Sequence, residues 1–461
     1  MSVSASCTAS RRQIRRAASL IAVPITVMLA LAPAPAASAV TLAPGDIVVT
    51  IKGDGAPGAV ERIDPVTGVR TRIAGGYPVV RPTGVAVERG GTLVVADQGA
   101  SAGVLRIDPA SGAVTPLSIG GLLSQPAALA LEADGSIVAV DSSSRAVIRV
   151  NPQSGAQTLI SAGGLLDGPL GVAVEADGGI LVGDFTVVCD PYSCSGVDGR
   201  LVRVNPVTGA QTLVTEIDDI YPSCPTAEPC GLSKPFGVAV ESDGGILVTS
   251  FPHGFYFDGV YRVNPVTGAD TKLFTGNCET LDQSCDPVGV AVESDGDILL
   301  AGRGPTRDDG AITRVDPVTG VGTLLVHAHY RYDEFSVRGI AVVPTRFDFT
   351  GFAAPIDNDV VNSAKAGQTI PVTYRLTAPD GTPVSDPASF KELTSQSGGG
   401  VCAGLPQDAI EYYSGGSGLQ YLGDGNWRFN WKTPKSYAGQ CRTMTLRLAD
   451  NTTHTANFQF K

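Results

Sequence analysis

Three aspartates recur at near-equal intervals among apolar residues: Asp97, Asp141 and Asp184 lie 44 and 43 residues apart. Carboxylates repeated in this way could converge on a divalent cation and serve a metal-assisted lactone or ester hydrolysis, with calcium as the ion suited to oxygen ligands. At the end of a strand the same residue could instead cap the turn that follows, because an aspartate oxygen accepts from amides two or three residues further on. His253, His327 and His329 form a second candidate set. His327 and His329 share a face if they lie on one strand, and imidazoles near neutrality can act as general acid and base for a lyase, or hold a metal. No H-E-x-x-H helix or phosphate loop accompanies either set.

A third set suits recognition better than bond-making. Between Val40 and Asp184 the only aromatic residue is Tyr77, whereas Phe236, Tyr256, Tyr330 and Tyr332 fall later, near Arg303 and Arg338. Aromatic rings bring large, stiff contact area, and arginine brings charge and several donors. These six are the candidate ligand-binding residues. The alternative is that the aromatics pack small local cores inside long loops.

The elements that must position these residues are copies of one unit. Its fullest form is PLGVAVEADGGILVGDF from Pro169, an insertion, then GRLVRVNPVTGAQTLVT from Gly199. Gly171 to Glu175 and Gly179 to Asp184 are apolar runs, Arg200 to Asn205 is mixed, and Gln211 to Thr215 alternates, so the unit reads as four strands whose burial falls from first to fourth. Ala176-Asp177-Gly178 and Asn205-Pro206-Val207-Thr208-Gly209 are hairpin turns, with Pro presetting φ and Gly taking the position that needs φ > 0. Other copies start at Pro82, Pro126, Pro235 and Pro287, and the second turn recurs at Asp64, Asp108, Asn151, Asn264 and Asp316. A first strand is missing before Gly45 to Val49, and an unpartnered one occurs at residues 339–344. Joined, they would close a ring and remove two exposed edges. The period of 43 or 44 residues fits four-stranded propeller blades. The expected fold is all-β: a six-bladed β-propeller over residues 40–345.

The pattern P-x-G-V-A-V-E-x-D-G-x-I-L-V followed by R-V-N-P-V-T-G resembles the NHL and gluconolactonase-like superfamily of propellers, and is similar to streptogramin-lyase-type and scytonemin-locus-type propeller proteins. The resemblance covers roughly residues 45 to 344. Gluconolactonase-like enzymes bind a divalent cation at the channel with Glu, Asn and Asp, which implies that role for Asp97, Asp141 and Asp184. The equivalent positions in the other copies are Ile51, Ser250 and Gly302.

Residues 1–39 read as a secretory signal peptide. Arg11, Arg12, Arg15 and Arg16 precede an apolar run from Ala17 to Leu31, and Ala37-Ser38-Ala39 fits a cleavage site. Pro24 interrupts that run, which argues against a spanning helix, so no transmembrane anchor is expected once the signal is removed. Loss of four arginines takes the net charge from −12 to −16, which excludes nucleic acid and anionic membranes as natural partners. Cys7 leaves with the signal. Eight cysteines remain in close pairs, predicting disulfides Cys189–Cys194, Cys224–Cys230, Cys278–Cys285 and Cys402–Cys441 in an exported chain.

All large insertions join second to third strands, or one blade to the next, so they emerge on one face of the ring, concentrated in blades four to six. Long loops on a rigid scaffold are where recognition is expected. From residue 346 the repeat stops. Val372 to Leu376, Trp427 to Trp431, Thr443 to Leu448 and Ala456 to Phe460 read as strands of an immunoglobulin-like β-sandwich. The stretches N-S-A-K-A-G-Q-T-I-P, W-K-T, G-Q-C-R and F-Q-F-K resemble the PxKF-type module of secreted actinobacterial proteins, with Thr373-Tyr374 in place of that module's Lys-Phe. The sequence thus predicts a secreted, monomeric binding or scaffold protein for an extracellular protein, peptide or glycan. A hydrolase or streptogramin-type lyase at the channel mouth is the competing class.

Overall fold

The computed structural model describes residues 39–52, 57–189, 194–217, 235–250, 259–275, 285–303, 310–327, 336–358, 360–378, 381–397, 411–414, 418–450 and 452–461. The signal segment, His253, Tyr256, His329, Tyr330, Tyr332, Cys224, Cys230, Cys278 and Cys402 lie outside the described residues. For Cys189, Cys194, Cys285, Arg303 and His327 only the backbone is described.

Residues 82–119, 126–162, 171–217, 235–275 and 285–327 each form a four-stranded antiparallel sheet with the strands in sequence order. One further sheet precedes them in the chain, built from Ile47–Lys52, Ala59–Ile63 and Arg70–Gly75 with Ser336–Val342 paired outside Ile47–Lys52. Numbered from this one, each sheet's first strand neighbours the next sheet's first strand, and that of the sixth neighbours Ser336–Val342, so the sheets form a ring around a central channel. This is a β-propeller arrangement, and the chain closes it with a strand from beyond the last repeat. The closing strand is Ser336–Val342 and not residues 339–344 as the repeat suggested, because Val343 has already left the ladder to exchange bonds with Gly45 and Asp46.

Burial does not fall steadily from first strand to fourth. Second strands such as Leu93–Asp97, Ile137–Asp141 and Ile246–Ser250 are buried throughout, whereas the first strand Pro82–Val87 leaves Thr83, Gly84 and Ala86 half-buried. First strands face the channel on one side, whereas second strands are covered on both. The core is accordingly divided among the interfaces between sheets: Val138, Val140 and Val147 of the third pack on Val172, Ile180 and Val182 of the fourth. Each fully buried Val or Ile contributes about 1.5–3 kcal/mol.

Polar contacts repeat on the tight-turn face. Arg106, Arg149, Arg203, Arg262 and Arg314 each form an ion pair within their own sheet, with Glu88, Glu132, Glu175, Glu241 and Glu293. Each also reaches the carbonyl of the turn proline in the next sheet, respectively Pro152, Pro206, Pro265, Pro317 and Pro65. Turn glycines make room for this approach: at Gly209, φ is 69°, and a Cβ there would lie 2.2 Å from the carbonyl oxygen of Ile160 in the preceding sheet.

The insertion expected as a loop from Phe185 to Asp198 is a continuation of the sheet. Ile180–Cys189 pairs with Cys194–Val204, and its register sets the Cys189 backbone opposite that of Cys194. Beyond the ring, Asp348–Ala353, Thr369–Thr377, Asn426–Lys432 and Leu419–Gly423 form one sheet. Val361–Ala364, Thr453–Phe460, Cys441–Leu448, Phe390–Ser397 and Glu411–Ser414 form the other. Trp427, Trp431, Tyr374, Phe429 and Phe458 fill the space the two sheets share. Arg346 ties the connecting segment to the ring by donating to the carbonyls of Val87 and Glu88.

Candidate functional site

In every sheet of the ring the first strand starts, and the second ends, on the face that carries the insertions. Five polar or aromatic residues at those ends surround one cavity of about 310 Å³ at the channel mouth. Lys52 ends a second strand and Gln98 follows another. Arg81 precedes Pro82, Phe236 follows Pro235, and Arg338 lies near the start of the closing strand. Every sheet also contributes apolar side chains to the wall, among them Val85, Leu129, Val172, Val238, Val290 and Ile340. The inner strands approach closely because glycine stands at the waist; a Cβ at Gly339 would meet the Thr83 carbonyl at 2.2 Å. Threonines from second strands saturate the inner amides, as where Gly339 N–H donates to Thr50 Oγ1 at 2.7 Å and Gly237 N–H to Thr249 Oγ1 at 2.7 Å.

Of the six expected ligand-binding residues, Phe236 and Arg338 come together in this cavity. The backbone of Arg303 ends the strand Ile298–Arg303 on the same face. Lys52, Arg81 and Gln98 were not read from the sequence as site residues. The available signal was positional: Lys52 and Gln98 each directly follow the equivalent repeat positions Ile51 and Asp97, and Arg81 directly precedes the repeat's initial proline.

Asp97, Asp141 and Asp184 do not assemble. Among the described residues, the group of carboxylates within 4.8 Å of one another is Glu293, Asp295 and Asp297, on the opposite, tight-turn face. There, Arg314 already holds both Glu293 oxygens. The three aspartates are buried caps. Asp97 accepts from the amides of Val80, Arg81 and Gly99 at 2.9, 3.0 and 2.7 Å. Asp141 accepts from those of Ser124, Gln125, Ser143 and Ser144. Asp184 accepts at Oδ2 from Asp167 and Gly168, yet its Oδ1 is buried without a hydrogen bond. The cause is local: the tight loop that supplies Oδ1 donors after Asp97 and Asp141 is replaced after Asp184 by the extended hairpin. Burial pushes the Asp184 carboxyl up to about 6, against the opposing pull of its amide bonds and of Arg200.

No protein-family model matches the chain, and no curated protein matches it. Among solved structures it is similar to a chain of the nidogen/laminin complex (13% identity, TM-score 0.48, covering 64% of this chain and 97% of that one). It is also similar to TolB from Acinetobacter baumannii (12% identity, TM-score 0.46, 64% of this chain and 66% of that one). A third similar structure is virginiamycin B lyase from Staphylococcus aureus (13% identity, TM-score 0.36, 82% and 94%). No helix among the described residues is long and apolar enough to cross a membrane.

Proposed function

We propose that this chain is an exported binding protein: a signal peptide over residues 1–39, a six-bladed propeller over residues 40–345, and an immunoglobulin-like module of the PxKF type over residues 346–461, stapled by the four predicted disulfides. It recognises an extracellular protein, peptide or glycan on the insertion face. The observation that supports this reading is the channel-mouth cavity, which joins Phe236 and Arg338 to Lys52, Arg81 and Gln98 below the insertions. The metal-assisted hydrolase gains no support from Asp97, Asp141 and Asp184, which do not assemble and each accept from backbone amides.

The test is saturable binding of purified, labelled protein to intact cells and culture fluid of the organism that encodes it, with wild type beside Phe236→Ala. The expected result is saturable binding that weakens roughly tenfold when a central aromatic anchor is truncated. Absence of saturable binding, together with turnover of lactone or ester substrates, would replace this reading with the enzymatic one.

A further inference from the structure

We propose that the peptide bond between Ala39 and Val40 is a processing site whose cleavage completes the ring, because the amino terminus released at Val40 becomes a cationic latch between the first and second sheets. The inference rests on the export reading above and goes beyond it by giving the cut a structural task. At five junctions a guanidinium donates to the turn-proline carbonyl of the next sheet, at distances of 2.7 to 3.2 Å. Among the described residues no guanidinium reaches the equivalent carbonyl of Pro109. Arg62 holds the corresponding place in the first sheet, but it pairs with Asp46 at 2.6 Å. The Val40 nitrogen stands in for it and donates to the Pro109 carbonyl at 3.1 Å. The turn that no side-chain cation reaches is thus met by the nitrogen that a cut after Ala39 would turn into a cation.

Local packing fixes that nitrogen in place. The Val40 side chain is 5% exposed and belongs to the apolar cluster that Val60, Ile73, Leu105 and Ile107 form between the two sheets, whereas Ala39 and Thr41 on either side are exposed. The nitrogen therefore sits where the chain passes from solvent into the ring, and removal of Ala39 opens its place to water, so the added charge is not stripped of hydration. Asp108, the residue before Pro109, has its carboxyl held below the ordinary range by the Ser111 hydroxyl and the Ala110 amide, and this ionised neighbour favours an ammonium over a neutral amide. Cleavage adds one water across the bond. The hydroxyl goes to the Ala39 carbonyl carbon, which leaves as a carboxylate, and both protons end on the Val40 nitrogen. The co-reactant is a signal peptidase, which reads small residues such as Ala37 and Ala39. A charged donor bonds a carbonyl about twice as strongly as a neutral one, so the cut strengthens a bond that the uncut chain already makes.

The experiment compares hydrogen exchange over residues 40–52 in three forms of the chain, all ending at Lys461. One begins at Val40 with a free amino group, the second is the same form acetylated at that group alone, and the third begins at Ser38. Acetylation keeps an N–H on the Val40 nitrogen and removes its charge; the Ser38 start keeps the N–H and moves the charge two residues away. No side chain is altered, so all three retain the fold, as circular dichroism will verify. Exchange in the free Val40 form should be roughly five- to tenfold slower than in the other two. Equal exchange in the three forms refutes the latch. N-terminal sequencing of the protein recovered from culture fluid of the organism that encodes it tests the cut: a start at Val40 supports the processing site, and a start elsewhere refutes it while leaving export intact. If the protein is not exported at all, the export reading falls and the cut with it, whereas exchange in the three purified forms still decides the latch.

Discussion

The guanidinium of Arg314 donates to the main-chain carbonyl of Pro65 at 3.0 Å, across 249 residues of sequence. It carries the contact made by Arg106, Arg149, Arg203 and Arg262 across the junction where the end of the repeats meets the beginning. One junction lacks it. Between the first and second sheets the Pro109 carbonyl accepts from the Val40 amide at 3.1 Å, and Arg62 turns to Asp46. The first sheet is assembled from both ends of the ring segment, so Val343 stands where its innermost strand would otherwise supply the glutamate.

Replacing Arg314 with Gln leaves the Glu293 carboxylate partly buried beside Asp295 and Asp297 with no ion pair. Urea unfolding should show a loss of about 1–3 kcal/mol. Adding Glu293→Gln should recover part of that loss, because the uncompensated charge is gone. A double variant as unstable as the sum of the two singles would indicate that the pair is not coupled.

Asp184 yields a pH prediction. Its folded carboxyl titrates near 6, against an ordinary 3.8. The folded state thus binds this proton more tightly than the unfolded state, and the stability it contributes is present at low pH and lost as pH rises through the interval from 4 to 6. The interval corresponds to roughly 3 kcal/mol. Asp184→Asn removes the charge, so it should change stability little at pH 4 and raise it by about 1–3 kcal/mol at pH 7.5, read from unfolding midpoints. Asp97→Asn should lower stability at both pH values, since an amide nitrogen would face N–H donors where Asp97 now offers only acceptors. An Asp184→Asn effect of equal size at both pH values would exclude a buried titration as its cause.

The channel waist gives a steric test. A Cβ at Gly339 would lie 2.2 Å from the Thr83 carbonyl, on backbone that cannot yield without separating two inner strands. Gly339→Ala should cost about 1–3 kcal/mol or more, by the overpacking that cores resist. Gly90 lies in a surface turn with nothing within 4 Å of an added Cβ, and its φ is not in the left-handed region. Gly90→Ala should be neutral or stabilise by about 0.4–1 kcal/mol. Thermal melts of the two variants side by side decide whether the waist is as tightly closed as the distance implies.

Much of the ring was legible because its signals are local and repeated. The N-P-V-T-G turns and the G-V-A-V runs fix hairpins within a few residues, and the 43- or 44-residue period counts them. What resisted reading depends on which side of a strand meets the channel. Gly171 to Glu175 reads as more apolar than a wet fourth strand, yet nothing in that run says that one of its faces lines a cavity. Asp97 and Arg81 show the same limit at the site. The aspartate looked like a ligand for a metal because it recurs, whereas its oxygens meet amides seventeen and sixteen residues back, a pairing only the folded loop creates. Lys52, Arg81 and Arg338 are far apart in sequence and converge only when the ring closes.

Tyr374 lies on the strand Thr369–Thr377 of the C-terminal module. It is 1% exposed, packed against Phe349, and its hydroxyl is buried without a hydrogen-bond partner among the described residues. Burial accordingly raises the phenol above its ordinary range. A hydroxyl taken out of water and given no partner costs about 1–3 kcal/mol, whereas the ring beneath it contributes its full apolar burial. Tyr374→Phe removes only the costly atom and keeps the ring. The variant should therefore unfold at a higher urea concentration with an unchanged denaturant slope, by an amount equivalent to about 1 kcal/mol. Tyr374→Leu, which keeps the site apolar but loses the ring's contacts, should be destabilised. A loss of stability in Tyr374→Phe would mean that the hydroxyl has a partner in solution, a bound water being the simplest.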